Sequence, residues 1–178
     1  GVASTGHCHP EVVRAIHHQS KQLIHASFGT VYYEPPIELA EKLGRILGHG
    51  LSRVFFCQSG TEAVEAAMKL AKYITKKPRI LAFQGGFHGR TLGALSLTTS
   101  KMKYRDGYAP LLEGVSFFPY PYCYRCPWGK NVDTCQTACT EPLNDYFNQL
   151  DDDVAAVVVE LVLGEGGYTP IPLKFLKE

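Results

Sequence analysis

The stretch FFCQSGTEAVEAAMKLAKY, residues 55–73, decides the fold. Its first residues complete an apolar run of strand length, RVFFC at 53–57. The chain then breaks at Ser59-Gly60-Thr61 and restarts with helical spacing. Ala63, Ala66, Ala67, Leu70 and Ala71 recur at helical intervals, so a helix over 61–75 is expected to lay a face of small residues close on a sheet. Three more apolar runs follow: RILAFQ at 79–84, VSFFPY at 115–120 and VAAVVVELV at 154–162. Unbroken apolar strands separated by a helix predict an α/β fold, with a mostly parallel sheet covered by helices on both faces.

Upstream, residues 10–26 read as a helix opened by Pro10, with Val13, Ile16, Leu23 and Ile24 on its stripe. A second helix follows Pro35-Pro36, with Leu39, Leu43, Ile46 and Leu47 on one side. Residues 119–142, rich in Pro, Tyr and Cys, interrupt the α/β rhythm as a long insertion. The chain has 178 residues, 45% of them hydrophobic, enough to bury a core. Its 18 Lys and Arg nearly balance 17 Asp and Glu, so no field gathers nucleic acid or anionic membrane. No run reaches the roughly 20 apolar residues of a membrane span, and a soluble cytoplasmic protein is the expectation. The chain opens on Gly and closes on the helix-like PLKFLKE, so both ends are expected to be cuts.

Three segments carry chemistry. At the start of the 61–75 helix, the amides of Gly60 and Thr61 have no partner within the helix, and the helix dipole adds positive potential there. This makes an anion site without a cation, to which the Thr61 hydroxyl could add a donor. A helix capped by Ser59 or Thr61 accounts for the same residues. Neither a Walker loop nor GxGxxG is present, which argues against triphosphates and dinucleotides. In RILAFQGGFHGRT, residues 79–91, two glycines follow a strand at the sheet edge where α/β proteins bind ligands. There Phe87 offers a flat wall, His88 a titratable edge and Arg90 a fork for a carboxylate, or else a core ring, a loop histidine and a solvated charge. Glu160 ends the last apolar run and Glu165 sits in a glycine-flanked loop. They are two carboxylates able to move protons or pair with arginines, or else a strand-end and a turn glutamate.

SGTEAVEAAMKLA, FHGRT, VVVE-x3-GEGGY and GHCHP at residues 6–10 together resemble the class III pyridoxal-phosphate aminotransferases, the group of 4-aminobutyrate, ornithine and acetylornithine aminotransferases. The resemblance implies the type I aminotransferase fold. Residues 1–34 would be an N-terminal segment, and residues 35–178 the first part of the large cofactor domain. It puts the phosphate of pyridoxal phosphate on Gly60 and Thr61, Phe87 on the pyridine ring with His88 beside it, and Glu160 near the cofactor as a supporting group. Arg90 resembles the arginine that grips a substrate carboxylate in the 4-aminobutyrate enzymes. Glu165 is similar to the switch glutamate that pairs with a later arginine and releases it for a dicarboxylate.

The chain departs from the family at Gln58, where Asn is usual, and at Leu161 and Leu163, which stand for Pro and Gln. The aspartate for the ring nitrogen and the Schiff-base lysine have no counterpart here, since none of the eleven lysines lies in the expected context. The resemblance thus implies part of a homodimeric enzyme that moves an amino group from 4-aminobutyrate or a similar ω-amino acid to a 2-oxo acid such as 2-oxoglutarate. The part alone is expected to be inactive.

In the insertion, Cys123, Cys126, Cys135 and Cys139 form C-x2-C-x8-C-x3-C, a density of thiols that could hold zinc or an iron–sulfur cluster, or be free thiols in a loop. A non-catalytic metal-binding or assembly module organised by these cysteines is the alternative function. Cys8 and Cys57 read as buried fillers. His7 and His9, flanking Cys8, are expected to order the chain entering the helix at Pro10 rather than to bind metal.

Overall fold

A computed structural model describes residues 3–150 and 152–178. The chain divides into a first unit ending at Phe55 and a second running from Phe56 to Glu178.

The first unit holds helices α1, Pro10–Ser20, and α2, Glu34–Leu47. His9 caps α1, its Nδ1 accepting the Glu11 amide at 3.3 Å, so this histidine does order the backbone at Pro10 as expected. The helix is shorter than its periodicity promises, because Leu23 and Ile24 lie beyond its end. α2 begins with Pro35 and Pro36 in its first turn and stops at Gly48, whose φ is +59°. The apolar stripes are present on both helices yet neither buries a residue; Ile46 remains 79% exposed. Cys8 is exposed and Cys57 half-buried, so neither is the buried filler expected.

The second unit is α/β. Its parallel sheet has the order β2-β1-β3, with β1 Arg79–Phe83 in the centre, β2 Val115–Phe118 on one side and β3 Val154–Val158 on the other. The crossovers carry α4, Leu92–Leu97, and α5, Thr140–Gln149; α3, Gly60–Thr75, precedes β1. Beyond β3 a small antiparallel pair forms from β4, Val162–Leu163, and β5, Thr169–Pro170.

The alternation of β1 divides the core. Leu81 and Phe83 face a cluster with Phe118, Tyr120, Leu163, Ile171 and Phe175, whereas Ile80 and Ala82 face Met68 of α3 and Leu97 of α4. Both faces are therefore covered, as the unbroken apolar run predicts. The cysteine-rich insertion belongs to this core: Trp128 packs on Phe118 with ring centroids 5.7 Å apart, and Tyr122 and Cys139 join the same cluster.

Three expectations about the elements fail. The run at 53–57 enters no β-ladder among the described residues, because an apolar run becomes a strand only when a neighbouring strand takes up its amides and carbonyls. The face of α3 turned to the sheet is Val64 and Met68, not the alanine stripe; Ala63, Ala67 and Leu70 are exposed, Leu70 by 59%. The final apolar run is also split, since β3 stops at Val158 and leaves Glu160 in the connection to β4.

Candidate functional site

Ser59 is the N-cap of α3, its Oγ accepting the Glu62 amide at 3.4 Å, while Glu62 Oε2 accepts the Gln58 amide at 2.7 Å. This capping arrangement takes up two donors but leaves the Gly60 and Thr61 amides as orphans of the first turn. A Cβ built on Gly60 meets nothing within 4 Å, so the backbone there is open to a ligand. The amides border an open groove of about 870 Å³.

The other wall comes from the loop after β1. Phe87, His88, Gly89 and Arg90 line the same groove as Gly60 and Thr61. Gly85, with φ +85°, and Gly89, with φ +134°, supply the turns, and both angles lie where glycine is favoured. Phe87 is half-buried, edge-on to Tyr104 with centroids 5.6 Å apart. Arg90 is exposed. His88 is only 9% exposed and its Nε2 is buried without a hydrogen-bond partner. Burial lowers its pKa below the ordinary 6.5 while the Glu160 charge acts in the other direction, so the imidazole is neutral at pH 7.

The two glutamates lie elsewhere. Glu160 accepts the Phe87 amide at 2.6 Å through Oε1 and the Gly164 amide at 2.9 Å through Oε2, which ties the loop after β1 to the turn after β4. Tyr120 donates its hydroxyl towards the Glu160 carbonyl, at 3.1 Å, and the Thr169 carbonyl, at 3.2 Å. Burial, with the Glu160 charge, pushes the Tyr120 phenol up to about 12. Glu165 pairs with Lys101 and accepts the Tyr104 hydroxyl at 3.2 Å. The hydrogen bond and charge of Lys101 hold the Glu165 carboxyl below the ordinary carboxylate range. Neither glutamate lines the groove, and Glu165 meets a lysine and a tyrosine that the sequence did not single out.

Sequence reasoning also missed a hydrogen-bond chain below the amides. Thr61 Oγ1 lies 2.7 Å from Thr91 Oγ1, which donates to Glu65 Oε1 at 2.6 Å; the same Glu65 oxygen accepts the Ala94 amide at 3.0 Å. A signal was present in the glycines of FHGRTLGAL. A Cβ at Gly89 would fall 2.2 Å from Thr61 Oγ1, and one at Gly93 would fall 2.2 Å from Glu65 Oε2.

Cys123, Cys126, Cys135 and Cys139 line one cavity of about 20 Å³. Burial, with the neighbouring cysteines, raises the Cys123 and Cys139 thiols, which keeps both protonated at neutral pH. Among the described residues no group of three or more His, Cys, Asp or Glu side chains is arranged to hold a metal ion. Of the two readings of these cysteines, a zinc or iron–sulfur site therefore finds no support among the described residues.

The model of the family "Aminotransferase class-III" matches residues 1–178. A probable 4-aminobutyrate aminotransferase of Bacillus subtilis is 40% identical over 98% of the chain and 40% of its own length. An acetylornithine aminotransferase of Methanopyrus kandleri is 42% identical over 97% of the chain and 39% of its own length. The chain thus spans about two-fifths of the curated relatives it matches. Among solved structures, a PLP-bound amine transaminase from an uncultivated Pseudomonas species superposes with a TM-score of 0.85 at 27% identity, over 97% of this chain and 41% of that one.

Proposed function

The chain belongs to the class III aminotransferase family, and from that premise we propose that its groove holds pyridoxal phosphate and a substrate carboxylate. The enzyme would move an amino group from an amino acid, 4-aminobutyrate or a similar ω-amino acid, to a 2-oxo acid such as 2-oxoglutarate. One observation carries the reading: Gly60 and Thr61 at the start of α3 and Phe87, His88 and the exposed Arg90 of the loop after β1 all border one groove.

The donor set fits the group. Two helix-terminal amides suit a phosphate monoester, and the open space at Gly60 lets its oxygens come close. Phe87 offers an aromatic wall, held in place by Glu160 at its amide and by Tyr104 at its edge. His88, neutral and with its Nε2 short of a partner, lies next to Phe87 in the same lining. Glu160 acts behind this wall. Bound there, pyridoxal phosphate supplies a carbonyl that condenses with amines and a ring that withdraws electrons.

Arg90 is the substrate's counter-charge, orienting a carboxylate by a two-pronged contact. Glu165, engaged with Lys101 and Tyr104, is proposed as the glutamate that pairs with a later arginine of the whole enzyme and releases it for a dicarboxylate. We place the whole enzyme in the cytoplasm as a homodimer, a reading that suits the exposed Leu70, Tyr73 and Ile74 of α3. Among the described residues no helix is long and apolar enough to cross a membrane.

The test uses the full-length protein. Arg90→Gln raises KM for carboxylate substrates at least about tenfold, the scale of one charge-assisted hydrogen bond. Cofactor affinity is unchanged in the variant. An unaltered KM for every carboxylate donor would overturn the assignment of Arg90.

A further inference from the structure

We propose that Glu65 and Thr91 are the positioning residues of the phosphate cradle, acting through the Thr61 hydroxyl. The inference rests on the reading of Gly60 and Thr61 as the phosphate site.

The hydrogen-bond chain has a direction. Glu65 Oε1 is an acceptor, since the Ala94 amide donates to it at 3.0 Å. Thr91 therefore spends its one hydroxyl proton on Glu65, at 2.6 Å. In the 2.7 Å contact between the two threonines, Thr61 must then be the donor. The Thr91 amide approaches Thr61 Oγ1 at 3.3 Å and uses a lone pair of that oxygen. The Thr61 hydroxyl is thus committed to the tie and does not face a ligand as a donor, which leaves the Gly60 and Thr61 amides as the donors to the phosphate.

The joint is closely built. Thr91 is the N-cap residue of α4 but makes no side-chain cap, and Glu65 takes up the Ala94 amide in its place. One carboxylate of α3 thereby fixes the first turn of α4 and, through two hydroxyls, the first turn of its own helix. At Gly89 any side chain would strike Thr61 Cβ, at 2.6 Å, and Ala94 Cβ, at 2.9 Å, on a backbone with φ +134°. The two helix starts are therefore locked against the loop that carries Phe87 and Arg90.

The experiment compares binding of pyridoxal phosphate and of pyridoxal, which lacks the phosphate, to full-length apoenzyme, with the ³¹P resonance of the bound ester as a second readout. Glu65→Leu weakens pyridoxal phosphate about tenfold or more, leaves pyridoxal within about twofold and moves the ³¹P signal. Glu65→Gln, which keeps an oxygen to accept from Thr91 and Ala94, restores wild-type discrimination to within about threefold. Should the leucine variant fail to fold, Thr91→Val against Thr91→Ser makes the same comparison from the exposed end of the chain, with loss expected in the first and rescue in the second. Equal weakening of both ligands, no weakening of either, or a Gln variant as impaired as Leu would overturn the positioning role. A wild type that does not distinguish the two ligands would instead overturn the phosphate site itself.

Discussion

Glu160 accepts the backbone amide of Phe87 at 2.6 Å across 73 residues of sequence, and its second oxygen holds Gly164. The carboxylate stitches two loops at the carboxyl end of the sheet. Glu160→Ala leaves the part-buried Phe87 amide unpaired, while water reaches the exposed Gly164 amide, and is expected to destabilise the full-length protein by about 1–3 kcal/mol. Urea unfolding checks it, and a change below about 0.5 kcal/mol contradicts the role.

Thr61→Val keeps the shape of the side chain and removes the hydroxyl from its tie to Thr91. Pyridoxal phosphate affinity is expected to fall by about 1–3 kcal/mol, measured by titration of apoenzyme. Unchanged affinity would mean that the tie from Thr61 to Thr91 does not position the amides that meet the phosphate.

Gly89→Ala is expected to be among the worst tolerated single changes in the groove. The new methyl meets Thr61 and Ala94 on a backbone with φ +134°, so steric overlap adds to backbone strain. A loss of at least about 2 kcal/mol, read from the denaturation midpoint, is the expected result. A neutral substitution would mean that the two helix starts are free to separate.

His88 makes stability depend on pH in a defined direction. Its folded pKa is lowered by burial, so between that value and 6.5 the unfolded chain binds a proton that the folded chain does not. The stabilisation is complete above 6.5 and is lost as pH falls through the window. Unfolding curves of wild type and His88→Gln between about pH 5 and 8 should differ in slope, the wild type losing stability faster on the acid side. Parallel curves would show that the imidazole is not held neutral by the fold.

The central strand was legible because Ile80, Leu81, Ala82 and Phe83 are buried on both sides, a condition that writes an unbroken apolar run into the sequence. Residues 53–57 have the same local pattern without a ladder, since pairing depends on a partner that composition does not name. The α3 face was misread because small residues satisfy the helical period on the exposed side as well as Val64 and Met68 do on the packed side. Gly60, Phe87 and Arg90 are legible as candidates because their motifs carry glycines, and the structure brings the three to one groove. Glu65, Thr91, Lys101 and Tyr104 matter through partners 26, 30, 64 and 61 residues distant, and no short spacing marks them.

The contact of Lys101 with Glu165 lies at the surface, with side chains 44% and 41% exposed. Dissolved ions reach it and shield it, since the screening length is about 8 Å at physiological ionic strength and about 3 Å at 1 M. Tyr104 donates to that same carboxylate and sets its ring against Phe87. Concentrated salt therefore loosens the glutamate first and the tyrosine with it, and the aromatic wall gains freedom of tilt while the amides of α3, fastened through Thr91 and Glu65, stay where they are. The α3 end and the Phe87 end of the groove are thus anchored by forces of different kinds, and ionic strength is the variable that pulls them apart.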